Sequence, residues 1–192
     1  NSIATAMACT LRNNAVHCRG NLHLDRLAET FPVSLRIRDN VTITGGRLRW
    51  NLTSDQDDSV WKWTGSLNAS ELSAKTEQRD LRWEQPVELA FQARLQQDTI
   101  VVDRLQCTSS HVDLQGGGSL GNGHITARID FSQLLTEVRR FIDLPNAQIQ
   151  GELDSRVQWR IPESGQIVVS TDLLVSDLDV RAAGFQPWNE PR

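Results

Sequence analysis

The side chains that most often carry chemistry are few in this chain and poorly spaced for it. Four histidines, His17, His23, His111 and His124, stand alone in runs that read as strands or turns. His111 and Asp113 share a face at i and i+2, with Ser109 and Ser110 just before them. No serine or cysteine is placed to complete a nucleophile, base and acid relay, and serine beside histidine is common in polar turns. Three cysteines, Cys9, Cys18 and Cys107, lack the paired spacing of zinc ligands. Cys9 and Cys18 fall where a hairpin would set them opposite each other, so a bridge and burial as small apolar groups are both open readings. The glycine cluster Gly116 to Gly123 lacks the Lys-Ser/Thr pair and the helix start of a phosphate-binding loop, and hairpin turns account for it. Asn40-Val-Thr42, Asn51-Leu-Thr53 and Asn68-Ala-Ser70 fit the N-glycosylation pattern, which threonine-rich strands produce by chance. The sequence predicts no catalytic residues, no cofactor and no metal site. It predicts a binding surface instead.

That surface is written in strands. Val87, Leu89, Phe91, Ala93 and Leu95 are apolar, with polar Glu88, Gln92 and Arg94 between them. Side chains of a strand alternate faces, so the run makes one apolar face and one wet face. After Gly121-Asn122-Gly123, a tight-hairpin signal, Ile125, Ala127 and Ile129 alternate in the same way. These eight residues are the candidate binding face. Trp61 and Trp63 continue an odd-numbered face through Gly65 and Leu67. They can be read as a stacking platform for sugar rings, as a lipid boundary or as core fillers. The period changes after Asp130. Leu134, Leu135, Val138, Phe141 and Ile142 lie at helical spacing, which predicts a helix over Ser132 to Ile142, closed by Pro145.

The elements that position these residues follow from the rest of the chain. Ile3 to Leu24 reads as a hairpin about Asn13-Asn14, and Asp25 to Phe31 as a short helical turn stopped by Pro32. Gly45-Gly46 shifts the strand register as a β-bulge does. Asp55 to Asp58 reads as an acidic turn, and Ile149 to Ile161 is the longest alternating run. Pro162 to Gly165 turns it back into Ile167 to Val175, and residues 184–192 read as a linker or an unpaired end. There is an internal echo: glycine, strand, helix, proline and an Ile-x-Gly strand ending in Trp, once from Gly20 to Trp50 and again from Gly123 to Trp159. The expectation is one β-rich domain over 1–183, built of two related cassettes of about 1–85 and 86–183.

The chain has 192 residues, a net charge of -4 and 39% hydrophobic residues, enough to fold around a core of its own. Its Lys and Arg residues are scattered, which argues against nucleic acid as a partner. The longest apolar runs, such as Ile100-Val101-Val102, fall far short of the roughly 20 residues of a membrane span. The sequence opens at Asn1 inside an alternating pattern and reads as a piece of a longer protein. Any membrane association is then expected through parts of the parent not present here.

Gln115 to Ile129, with its Gly-x-Gly turn and alternating strand followed by a helix, resembles the hairpins of the AsmA-like family of bacterial envelope proteins and its relative TamB. Gly45-Gly46-Arg47-Leu48 and Gly151-Glu152-Leu153 resemble the same glycine-led strand starts. The resemblance covers about Gly20 to Ile161. It implies long β-sheets curled into a groove with an apolar inner face, lipid or membrane-derived acyl chains as the partner, and a periplasmic place in the bacterial envelope. The expected fold is mostly β, with long antiparallel strands in a strongly curved sheet (open groove or sandwich-like) and one or two short amphipathic helices. The Ser132 to Ile142 helix is expected across an open end or over the concave face, with Leu134, Val138 and Phe141 packed on Phe91 and Ile129. Two other readings use the same alternation: a glycan-binding surface carried by Trp61 and Trp63, and a structural spacer.

Overall fold

The computed structural model describes residues 5–12, 15–57, 60–144, 147–162, 165–182 and 188–189. A hairpin of β1 (Thr5–Arg12) and β2 (Ala15–His23) leads into α1 (Leu24–Thr30) and then the long strands β3 (Thr42–Asp57) and β4 (Val60–Lys75). The short β5 (Asp80–Arg82) precedes a meander of β6 (Val87–Gln96), β7 (Thr99–Thr108), β8 (Val112–Ser119) and β9 (Asn122–Asp130). Then come α2 (Phe131–Val138), β10 (Ala147–Arg160), β11 (Val168–Ala182) and β12 (Trp188–Asn189). All the described strands join one antiparallel sheet whose order follows the chain. Only β5 leaves that path, pairing with one end of β4 while β6 pairs with the rest. The sheet curls without closing. No second sheet forms among the described residues.

Several local expectations change. Asp55 to Asp57 extend β3 and pair with Lys62, Trp61 and Val60, so these three lie in a strand and not in the expected acidic turn. Gly116, Gly117 and Gly118 lie inside β8, and the hairpin tip is Leu120-Gly121, where the Ser119 hydroxyl oxygen accepts from the backbone N–H groups of Gly121 and Asn122. In the tail, Trp188 and Asn189 pair with Val180 and Asp179. The rest of residues 184–192, Asn13-Asn14, Asp58, Pro145 and residues 163–164 lie outside the described residues. The bulge is where the glycine pair placed it: the register shifts on both sides of Gly45, and Gly46 takes a φ of 140°, which favours glycine.

The chain twice follows the order strand, helix, loop, bulged strand: β2–α1–β3 and β9–α2–β10. In the first, Leu24 packs on Gly46 of β3. In the second, Gly151 of β10 donates its N–H to the Ser132 hydroxyl at 2.9 Å. The two post-helix loops then meet. Ile37 and Ile142 form an antiparallel bridge, Arg38 N donates to the Phe141 carbonyl at 3.3 Å, and Asp143 N donates to the Arg36 carbonyl at 2.8 Å. Their strands β3 and β10 lie six steps apart in the sheet, roughly 29 Å if the sheet were flat. Contact between the loops therefore goes with a curled sheet, and the face carrying the helices is the inner one.

The core sits at this end: Ala28, Val41, Ile43, Ala74, Leu81 and Phe141, with Ile37, Leu72 and Trp83 packed against them. Two expectations about α2 need correcting. Asp130 caps the helix, its carboxylate accepting from Gln133 N at 2.8 Å, but the helix ends at Val138 and tightens into turns through Ile142. Residues 141 to 143 are drawn off the helix to pair with 36 to 38. Phe141 accordingly packs against Trp83, with ring centroids 6.2 Å apart, and Phe91 lies instead over Gly65.

Candidate functional site: the apolar inner face

Antiparallel partners directly opposite one another point to the same side of a sheet, so the register reports what each face carries. One lateral row reads Met7, Gly20, Trp50, Leu67, Leu89, Cys107, Leu114, Ala127, Ser155 and Leu173, across ten strands. The next reads Cys9, Cys18, Leu52, Gly65, Phe91, Leu105, Gly116, Ile125, Val157 and Thr171 over the same strands. The face is apolar almost without interruption. Cys9 and Cys18, opposite each other in this second row, are joined in a disulfide, which settles the alternatives left open for them. Cys107 is a free, half-buried thiol.

All ten residues singled out from sequence lie on this face. Ala93 stands opposite Trp63 and Leu95 opposite Trp61, while Val87 faces Ala69 and Ile129 faces Val112 and Leu153. The β6 set and the β9 set are not adjacent. Strands β7 and β8 separate them, roughly 14 Å along the surface, and bring Leu105, Cys107 and Leu114 between them. Nine of the ten are half-buried, and Ala127 is buried by its neighbours. None belongs to the core cluster at the helical end. The tryptophans thus belong to the apolar side of the sheet.

The opposite face is polar and laced with exposed pairs. Arg128 contacts Asp154 at 2.7 Å, Arg94 contacts Asp103 at 2.6 Å, and Asn68 donates to Glu88 at 3.1 Å. The hydrogen bond and charge of Asp154 raise the pKa of Arg128, and those of Asp57 raise that of Lys62. The backbone N–H of His111 donates to the Ser109 hydroxyl, and its carbonyl accepts from Asp130 N.

Sequence reasoning missed one feature. A cavity of about 750 Å3 near the far ends of β7 to β11 is lined by Val102, Gly117, Gly118, Gly123, Trp159 and Val168 among others, and by none of the eight aliphatic candidates. The Trp159 ring lies on Gly123, where a Cβ would collide with it, and its indole N–H donates to the Ser119 carbonyl at 2.9 Å. Trp50 lies on Gly20 in the same way. The signal was present in Gly123, which reads as a turn but in a strand leaves room for an aromatic neighbour. Comparison with protein families, with curated proteins and with solved structures returned no match.

Proposed function

We propose that the chain is a non-catalytic part of a larger bacterial envelope protein whose curled sheet handles lipid acyl chains on its inner face, in the periplasm, in lipid transport or outer-membrane upkeep. The observation that carries this reading is the apolar row running across ten strands on the side the sheet curls around, outside the core that fills only the helical end. A folded chain leaves such a face open at a cost in apolar surface, and an acyl chain would recover about 0.8 kcal/mol per methylene buried. The resemblance of Gln115 to Ile129 to AsmA-like hairpins supports the same reading.

The test uses Leu89→Asp and Ile129→Asp, scored by circular dichroism and by native mass spectrometry after incubation with phospholipid. The expected outcome is folded variants that capture no lipid, because a wall open to water tolerates a carboxylate. Folded variants that capture lipid as the parent does would overturn the proposal. Unfolded variants would mean that the face is closed core.

A further inference from the structure

A second cavity, of about 430 Å3, opens at the helical end where the two post-helix loops meet the β4–β5 turn. Four arginines line it, Arg38, Arg79, Arg139 and Arg140, against one lining carboxylate, Glu77. This concentration stands out in a chain of net charge -4. Three of the arginines are presented by ordered elements. Arg140 is gripped by both oxygens of Glu137, at 2.8 and 3.0 Å. Arg38 donates from its guanidinium to the Arg139 carbonyl at 3.0 Å, which ties one loop to the other. Arg79 sits in a turn that Thr76 fastens, accepting from Gln78 N and Arg79 N and donating to the Arg79 carbonyl. The Arg79 side chain itself has no hydrogen bond or ion pair with any described residue.

The two loops also provide an internal comparison. Their bridge pairs Ile37 with Ile142, a separation of 142 − 37 = 105 positions, and the flanking hydrogen bonds are exchanged by the same shift. Applied to Arg139, Arg140 and Arg38, that shift gives Ser34, Leu35 and Asp143. The repeated architecture does not require the arginines, because the equivalent corner does without them.

We propose that this cavity is a binding site for a phosphate group. Guanidinium groups match phosphate through paired N–H donors. The site stands on the cavity and its arginines and does not rest on the acyl-chain reading. The phosphate can belong to a soluble phosphorylated molecule or to a lipid headgroup.

The experiment is an amide NMR titration of the whole chain with inorganic phosphate at constant ionic strength, sodium chloride being the control, and in parallel with dihexanoyl phosphatidic acid below its micelle concentration. Saturable shifts at Thr76 to Arg79, Arg38 and Arg139–Arg140, with a Kd of about 1 mM or tighter, are expected. Arg79→Gln should weaken binding about tenfold or more with an unchanged circular dichroism spectrum, and Arg79→Lys should fall between. Equal affinity for the two probes assigns a soluble source. Phosphatidic acid bound about tenfold tighter, with the gain lost in Leu89→Asp, assigns a headgroup whose chains reach the inner face. Absence of saturable shifts from both probes up to about 10 mM would overturn the site. So would shifts reproduced by chloride or unchanged in Arg79→Gln.

Discussion

Phe141 closes one end of an otherwise open sheet. It is 4% exposed and joins Trp83 to core residues from β3 and β4. Phe141→Ala should cost about 3–5 kcal/mol, read as a lower midpoint in a denaturant titration. The alternation that makes Leu89 or Ile125 inward-facing was legible because it depends only on neighbouring residues. The partner of Phe141 was not, because Trp83 reaches it only through the curl of six strands. Lys62 gives a pH-dependent prediction. Asp57 raises its pKa above the ordinary 10.5, so the pair stabilises the β3–β4 hairpin below that value and is lost as pH rises through the raised one. The exposed pair should contribute little, and Lys62→Met should abolish the alkaline shift in the Asp57 side-chain NMR signals without moving the neutral-pH stability appreciably.

Among the elements, the β1–β2 hairpin is the part of the sheet fastened covalently. Cys9 and Cys18 are nine positions apart, and loop closure of that length is worth about 2–3 kcal/mol against the unfolded chain. Replacing both by Ser should lower stability by that amount and speed amide exchange in β1 ahead of β3 and β4, because among the described residues β1 has one strand beside it. Uniform exchange across the sheet would mean that the bridge does not hold the edge. At this scale the sequence showed its bulge clearly, since Gly45-Gly46 breaks an alternation that continues on either side. It showed α2 too long, because Phe141 and Ile142 keep the helical period while their backbone pairs with the loop after α1. It misplaced the β8 glycines, because glycine at a turn and glycine in a strand pressed against neighbouring backbone leave the same trace.

At the scale of the whole molecule, the described residues form a single sheet, polar outside and apolar inside, with its compact core at one end. The mostly β, curved architecture was legible from strand count and the scarcity of covering helices. The order of the strands was less so, and with it the distance between the β6 and β9 candidates, because alternation fixes a face but not a neighbour. The central claim, that the inner face takes acyl chains, has a built-in reporter. Trp50, Trp61, Trp63 and Trp159 all lie on that face. The most direct test is quenching of tryptophan emission by a short-chain phosphatidylcholine brominated on its acyl chains, with the unbrominated lipid as reference. Saturable quenching, reduced in Leu89→Asp, is the predicted result. Emission unchanged by the brominated lipid, while acrylamide quenches the same tryptophans, would contradict it.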